Sequence, residues 1–272
     1  MEHRKCEVSI GRLPDYDRVI VTSNRQYLQD ILAPGVLAVI VTALGKPAWI
    51  EELTALVMTA KFVIPRTIYP DATIDKTATS VTTMFKDSPL SSGVRDALCE
   101  DLIGLVSCCA DLTGAARFRL RFFTDVPNCR CSYHVDAVPP RAPTTALVRV
   151  YCGACTEYVT PSNLTCWEDF YSYVYMRKRE LDAIAVARER VDLTAEARAA
   201  ARLARLDERP PFLSRPIAPE RVPPDSLVAC KFVDSRDLWG GTHVRARSAH
   251  GWIHRSPMVG EPRFVATVNA SA

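Results

Sequence analysis

Among the acidic residues and histidines of the chain, one pair has the spacing of metal ligands. His134 and Asp136 are two residues apart in the segment Cys-Ser-Tyr-His-Val-Asp, residues 131–136. On a β-strand this spacing places both side chains on one face. His254, in the apolar segment Trp-Ile-His-Arg-Ser-Pro at 252–257, is the best candidate for a third ligand. Two imidazoles and one carboxylate form the facial triad that holds Fe(II) and leaves other coordination positions open.

An arginine follows the third candidate ligand nine residues later in the sequence. Arg263 opens the apolar run Arg-Phe-Val-Ala-Thr-Val shortly after His254. The order His-x-Asp, distant His, then Arg resembles that of the 2-oxoglutarate-dependent iron oxygenases. The resemblance implies Fe(II) and 2-oxoglutarate as cofactors, with Arg263 gripping the distal carboxylate of the cosubstrate through a bidentate pair. It also implies a hydrogen bond from Tyr151 to that carboxylate, and oxidation of a C–H bond of an unidentified small molecule or protein.

Two other interpretations of these residues stay open. The same triad suits Zn(II), which would make the chain a zinc-binding or metal-homeostasis protein without redox chemistry, or a zinc hydrolase. In a purely structural or partner-binding protein, His134 and Asp136 would instead form a buried hydrogen-bonded pair. Metal analysis of protein purified without oxygen is the measurement that separates these hypotheses best.

The cysteines offer a second, weaker chemical signal. The chain has ten cysteines, which in a reducing compartment serve as thiols, metal ligands or redox groups. Cys152 and Cys155 have the spacing of half a zinc knuckle or of a redox pair, but the sequence has no second pair of this kind. Cys129 and Cys131 lie nearby in the sequence, so a four-thiolate site is geometrically possible. Free thiols in a tight hairpin are the favoured interpretation.

Further polar residues near these segments have alternative roles. Glu157 follows the cysteine turn and is either a residue of the site or a buried partner of Arg149. The pair with Arg149 is the favoured interpretation, because alternate residues of paired strands face the same cavity. His243 and His250 lie in an arginine-containing segment, for which a polar surface loop is the favoured interpretation. The functional alternative for that segment is a lid or an anion clamp over the metal.

Composition limits the possible partners and location. The formal net charge is +3, with both signs interspersed, so no electrostatic case for nucleic acid arises. The most apolar run, residues 31–43, is too short to span a bilayer and contains Pro34 and Gly35. The first residues show no apolar core of a secretory signal. We expect a cytoplasmic protein without nucleic-acid or membrane partners, and its oligomeric state stays open.

Hydrophobic periodicity predicts a mainly helical part over residues 1–115. Apolar positions three and four apart predict an amphipathic helix over 49–62, and a second helix begins at Ser91 or Ser92 and ends before Gly114. The apolar run 35–44 has no decisive period. The threonine-rich stretch 66–90 is predicted to be a loop with short turns.

The remainder, residues 116–272, is predicted to be a metal-binding domain built of short strands. Alternating apolar and basic residues over 116–123 are typical of a half-buried strand. Several such strands separated by turns favour a jelly roll. An Ala-, Arg- and Glu-rich segment with a proline-rich exit predicts a helical insertion at about 160–222. The expected fold class is therefore α+β: a helical N-terminal part packed on a double-stranded β-helix, or jelly roll, with a helical insertion.

Over roughly residues 116–269 the chain also resembles a bacterial family known as domain of unknown function 1826. The segments that carry the resemblance are Cys131–Asp136, Arg149–Tyr151, Thr156–Tyr158, Ile253–Pro257 and Arg263. In the family the turn before Thr-Glu-aromatic is Gly-Pro-Gly-like, whereas here it is Cys-Gly-Ala-Cys, so a turn is implied but a cysteine-specific role is not. Some members of this family lie near zinc-homeostasis genes.

Overall fold

The computed structural model describes most of the chain: residues 6–8, 17–42, 44–45, 47–126, 132–215, 219–236 and 250–271. Cys129, Cys131 and His243, which the sequence analysis singled out, lie outside these ranges. Within these ranges, no helix combines the length and the apolar character that crossing a bilayer requires.

A large mixed β-sheet forms the centre of the fold. The strands are β1 Cys6–Val8, β2 Arg18–Thr22, β3 Val36–Val41, β4 Thr67–Ala72, β5 Phe118–Asp125, β6 Ala137–Val138, β7 Thr145–Cys152, β8 Glu157–Tyr158, β9 Glu220–Arg221, β10 Leu227–Lys231, β11 Val233–Asp234, β12 His254–Arg255 and β13 Arg263–Ala270. The large sheet has the order β1-β2-β3-β10-β7-β13-β5-β4, and only its β2–β3 pair is parallel among the described strands. Smaller sheets have the orders β12-β8-β9 and β11-β6.

Along the chain, the helices lie before β5 or between β8 and β9. They are α1 Trp49–Met58, α2 Ile74–Phe85, α3 Ser92–Thr113, α4 Trp167–Glu189 and α5 Leu193–Glu208, with short 3-10 helices at Arg25–Leu32 and Pro161–Asn163. The predicted helices at α1 and α3 are confirmed, as is the α+β class. Helix α3 ends at Gly114, whose φ of 67° is the left-handed conformation that glycine adopts without a Cβ penalty.

The N-terminal part, which was expected to be mainly helical, contains three α-helices and also supplies strands β1 to β4 to the large sheet. The ambiguous run 35–44 contains strand β3, all of whose residues are buried. Val39 packs in the cluster beneath the helices, while Ile40 packs in the cluster on the opposite face. A strand covered on both faces shows no polar alternation, which is why its period could not be read from the sequence.

The prediction of a loop at 66–90 is wrong, because this stretch contains strand β4 and helix α2. Thr77, Val81 and Phe85 are spaced four apart on α2, and each is fully buried. The burial of this stripe outweighs the low helix propensity of the surrounding threonines. The side chain of Thr73 caps the helix by accepting a hydrogen bond from the backbone N–H of Lys76 at 3.4 Å.

The two faces of the large sheet carry different layers. On one face, helices α1, α2 and α3 bury an apolar cluster that includes Leu102, Phe122 and Phe264. On the other face, strand residues such as Val148 pack with Trp252 of the segment leading into β12. The small sheet β12-β8-β9 therefore covers the face opposite the helices.

From β5 onward the chain passes repeatedly between the large sheet and the small one. After β5, His134 forms an isolated antiparallel bridge to His254 at the start of β12. Strand β7 returns to the large sheet, β8 and β9 belong to the small one, β10 is again in the large sheet, β12 is in the small one and β13 is in the large one. This alternation brings segments far apart in sequence together at the edge of β12.

The predicted helices of the insertion are present as α4 and α5, and their base packs against the segments that carry the candidate ligands. Phe170 and Phe212 join one apolar cluster with Tyr133 and Ile253, which are the immediate neighbours of His134 and His254. Farther out, α4 and α5 are linked by ion pairs such as Arg202 Nη2 to Glu180 at 2.8 Å. The insertion thus forms part of the wall behind the ligands.

We expect Phe212→Ala to lower the free energy of unfolding by about 3–5 kcal/mol, because it removes a fully buried ring from this wall. The matched control is Leu193→Ala on the same insertion, where the side chain is 74% exposed. That control should change stability by less than about 0.5 kcal/mol. Urea denaturation of both variants measures the difference, and equal stabilities would contradict a supporting role for the base of the insertion.

Candidate metal site

Two backbone hydrogen bonds fix the segments that carry the candidate ligands. The N–H of His134 donates to the carbonyl of His254 at 2.9 Å, and the N–H of His254 donates back at 3.0 Å. The alternate residues Tyr133, Val135 and Ile253 point into the apolar cluster under α4. Because side chains alternate along extended backbone, His134, Asp136 and His254 project the other way, to a common point.

The three side chains converge closely enough to hold one ion. One potential ligand atom from each lies within 4.8 Å of the others. Nε2 of His254 is 3.5 Å from Oδ2 of Asp136, and Nε2 of His134 is 3.9 Å from Oδ1. The two imidazole centroids are 4.6 Å apart. These separations are too long for strong hydrogen bonds but suit atoms that share a cation between them.

Hydrogen bonds to the backbone set the tautomers of both rings. Nδ1 of His134 lies 2.8 Å from the carbonyl of Ser132, and Nδ1 of His254 lies 2.9 Å from the carbonyl of Trp252. A carbonyl only accepts, so each Nδ1 carries a proton. In the neutral rings each Nε2 therefore presents a lone pair to Asp136. This is the arrangement in which metal-ligating histidines are held by an outer hydrogen bond.

The protonation preferences of the site also favour a cation. The pKa of His134 is lowered to about 4, first because the surrounding protein desolvates the imidazolium and then because His254 is close. Burial alone would raise the pKa of Asp136, but its contacts with His254, His134 and Arg121 outweigh burial and lower that pKa. At neutral pH, His134 is therefore an uncharged imidazole that can offer an electron pair to a metal ion, and it lies beside the ionised carboxylate of Asp136.

Packing holds His254 more tightly than His134. The ring of His254 stacks on Trp252 with centroids 4.4 Å apart and planes 15° from parallel. Gly251 allows the segment before His254 to lie against the segment of His134, because a Cβ at position 251 would lie 2.3 Å from Cγ1 of Val135. The side chain of His134, in contrast, is 46% exposed. The site is thus closed on the His254 side and open on the His134 side.

Arg263 is buried on the same face of the large sheet as the triad. Its guanidinium donates to the hydroxyl of Thr156 at 3.3 Å and to the hydroxyl of Ser256. Its Nε lies 3.6 Å from Oδ2 of Asp125, a side chain across the β13–β5 pair. Arg263 is therefore buried, and a protein carboxylate compensates part of its charge.

Tyr151 and Arg149 lie on the opposite face of the sheet from the triad. Tyr151 packs among residues beneath the helices, and its hydroxyl donates to Asp101 of α3 at 2.6 Å. Arg149 also pairs with Asp101, at 2.5 Å. The expected pair between Arg149 and Glu157 does not form. Instead, Glu157 accepts hydrogen bonds from Arg255 and Arg221 at 2.7 and 3.1 Å.

The turn at residues 152–155 packs against the start of β13, where Arg263 lies. Cys152 is buried and Cys155 is half-buried, and burial raises the pKa of Cys155. Gly153 between them has a φ of 81°, and a Cβ there would lie 1.9 Å from the carbonyl oxygen of Pro262. The glycine allows the turn to lie against the start of β13.

His250 is not one of the converging residues. Its ring stacks on Trp167 at a centroid distance of 4.5 Å, and its Nδ1 lies 3.0 Å from Asp17. The indole N–H of Trp167 donates to the same carboxylate at 2.7 Å. These contacts join the segment before β2 to the start of α4.

Arg121, which borders the triad, was not among the predicted site residues. Its Nη2 lies 3.8 Å from Oδ2 of Asp136. The alternation of basic and apolar residues along β5 predicted only a half-buried strand. In the structure the apolar side faces the helices and the Arg121 side faces the metal candidates. Alternation alone does not distinguish solvent from a polar site.

Comparison with known protein families gives one match. A family model described as "Protein of unknown function (DUF1826)" matches residues 22–207, more than half of the chain. The chain belongs to this DUF1826 family. The match includes strands β3 and β4, His134, Asp136 and helices α4 and α5 up to residue 207, and it ends before His254 and Arg263. The family description carries no activity over to the DUF1826 chain.

Searches of other proteins add little. The search of curated proteins gives no match. Among solved structures, a dioxygenase for auxin oxidation in rice is similar at 13% sequence identity and a TM-score of 0.43. The alignment covers 90% of the DUF1826 chain and 76% of the rice protein. A likeness at this level assigns neither fold nor activity.

Replacing any member of the triad should abolish tight binding of a divalent metal. We expect His134→Ala, Asp136→Ala and His254→Ala each to weaken Co(II) or Zn(II) binding by more than about hundredfold, since losing only an outer-shell partner typically costs 10–100-fold. His250→Ala, which removes a histidine outside the triad, is the matched control and should bind like the wild type. Calorimetric titration of the apoprotein measures the affinities. Retained binding in all three triad variants would exclude the site.

Proposed function

We propose that this chain is a non-haem oxygenase that uses Fe(II) and 2-oxoglutarate. The observation that carries the proposal is the convergence of two imidazole Nε2 atoms and one carboxylate, with both Nδ1 atoms tied to backbone carbonyls. Two histidines and a carboxylate on one side of an ion leave its remaining positions open, as in the iron oxygenases that share this ligand set.

The connectivity from β5 to β13 supports a double-stranded β-helix around this site. The main-sheet strands β5, β13, β7 and β10 are neighbours, and they face the row formed by the His134 segment, β12, β8 and β9. Passing back and forth between two facing sheets is the arrangement of a jelly roll. We propose that residues 116–272 form this unit and that the N-terminal strands extend its larger sheet.

Each residue of the site has a proposed role. His134, Asp136 and His254 would hold the Fe(II). Arg263 would hold the distal carboxylate of 2-oxoglutarate, supported by its burial on the triad face and by the neighbouring hydroxyls of Thr156 and Ser256. Iron and 2-oxoglutarate, when bound, would supply the oxidation of a substrate C–H bond by dioxygen, with the 2-oxo acid oxidised to succinate and carbon dioxide. Tyr151 has no part in this proposal, because its hydroxyl bonds to Asp101 beneath the helices.

Zinc is the main rival to iron at these ligands. Two imidazoles and a carboxylate also form zinc sites, so the triad alone does not choose the metal. A zinc-binding protein without redox chemistry would bind the metal through the same side chains but would have no need for 2-oxoglutarate. Binding of the cosubstrate therefore separates the two functions.

The deciding measurement is titration of the Fe(II)-loaded protein with 2-oxoglutarate in the absence of oxygen. We expect a visible charge-transfer band to appear and saturate, because a chelated 2-oxo acid exchanges charge with Fe(II). His254→Ala should show no band, whereas the control His250→Ala should show the wild-type band. Tight metal binding without a band or 2-oxoglutarate binding would reject the oxygenase and favour the zinc protein.

A second titration tests the proposed cosubstrate anchor. We expect Arg263→Ala to weaken 2-oxoglutarate binding by about 2 kcal/mol or more, roughly 30-fold, because a buried charge pair is lost. Arg263→Lys should recover part of the affinity, since it keeps the charge but not the bidentate fork. Arg236→Ala, which removes an exposed arginine, is the control. Unchanged affinity in Arg263→Ala, with Fe(II) still bound, would remove this residue from the site.

A further inference from the structure

Arg121 lies against the candidate metal ligands on the inner side of β5. Its neighbours Leu120 and Phe122 pack beneath the helices, so Arg121 projects from the opposite face. That face carries the triad, and Nη2 of Arg121 is 3.8 Å from Oδ2 of Asp136. The same carboxylate oxygen is 3.5 Å from Nε2 of His254. The guanidinium therefore borders the place where an ion held by the triad would bind.

The charge of Arg121 is poorly compensated in the described structure. Its side chain is 24% exposed, but its Nε is buried and has no hydrogen-bond partner there. Its nearest carboxylate, Asp136, is beyond hydrogen-bond range. A divalent ion on the triad would use the Asp136 charge and add positive charge beside the guanidinium. An anion next to both cations would remove this imbalance.

Two further arginines extend the positive region to the surface. Arg66 and Arg119 are exposed, and Arg119 precedes Arg121 by two residues on β5, so Arg119 and Arg121 project from the same face. The guanidinium carbon of Arg66 lies 5.2 Å from the ring centroid of Phe123, the next inward residue along β5 after Arg121. A surface of this sign attracts anions and leads them towards the buried guanidinium.

We propose that Arg121, with Arg66 and Arg119 at its entrance, binds a carboxylate of the small organic acid that occupies the open side of the triad. The planar fork of arginine matches a carboxylate, and its Nε and one terminal nitrogen are the donors of a bidentate pair. This anion site is distinct from the one proposed at Arg263, whose charge is shared with Asp125, Thr156 and Ser256. The inference rests on the metal triad of the proposed function and not on the choice of 2-oxoglutarate.

The test uses Co(II)-loaded full-length protein, whose visible spectrum reports ligands that reach the metal. Oxalate, succinate, 2-oxoglutarate and inorganic phosphate are titrated separately by absorption and by calorimetry. The variants are Arg121→Gln, Arg121→Lys and Arg66→Gln. The matched control is Arg236→Gln, an exposed arginine whose partner is Asp234. Co(II) affinity is measured independently for every variant.

We expect Arg121→Gln to weaken carboxylate binding by about tenfold or more, as loss of a hydrogen bond to a charged group does. Co(II) should bind Arg121→Gln within about threefold of the wild type or more tightly, because a neighbouring positive charge is removed. Arg121→Lys should be intermediate, and Arg66→Gln should show a smaller loss that salt reduces. Arg236→Gln should match the wild type.

Several results would overturn the inference. Unchanged carboxylate affinity in Arg121→Gln would do so, and so would wild-type protein that binds none of the acids or no Co(II). A parallel fall in Co(II) affinity would mean that Arg121 positions Asp136 instead. Tighter binding of phosphate than of carboxylates would contradict the ligand class. If Arg121→Gln does not fold, unchanged carboxylate affinity in Arg66→Gln, which alters an exposed residue, would overturn the inference. If succinate binds through Arg121 but 2-oxoglutarate does not bind, the oxygenase fails and this inference stands.

Discussion

The reciprocal backbone hydrogen bonds between His134 and His254 are the constraint on which the candidate site depends. They place two segments from distant parts of the sequence in antiparallel register, at 2.9 and 3.0 Å. Each histidine then donates its Nδ1 proton to the carbonyl of the residue two positions earlier. The backbone thus sets both the separation of the rings and the direction of their lone pairs.

The same pairing explains why the molecule has a thick wall behind the triad. Residues that alternate with the ligands must be buried on the opposite side, and Tyr133, Val135 and Ile253 meet α4 and the segment after α5 there. Arg255, adjacent to His254, lies over the ring of Tyr133 at 4.2 Å and bonds to the buried Glu157. The alternation of side chains along these strands therefore decides which charged residues project towards the candidate ligands and which are buried behind them.

Much of the site was predictable from the sequence, because its ligands follow a local rule. A two-residue spacing fixes one face, and the segment with His254 is apolar and extended, so the three residues that converge in the structure could be named as candidate ligands from the sequence. Strand β3 could not be assigned, since burial on both faces removes the alternating pattern. Tyr151 was assigned to the site because the sequence does not say which face of β7 meets the helices. An irregularity in the β13–β7 register at Phe264 and Val265 further hides that parity.

Strand β13 has a position that matters for biosynthesis. It lies between β5 and β7 in the large sheet, although it follows both of them along the chain. All eight of its residues are buried. While a ribosome is still making the residues before β13, β5 and β7 each have an open edge rich in apolar side chains. A nascent chain in this state is prone to pair with other chains until the central strand has been made.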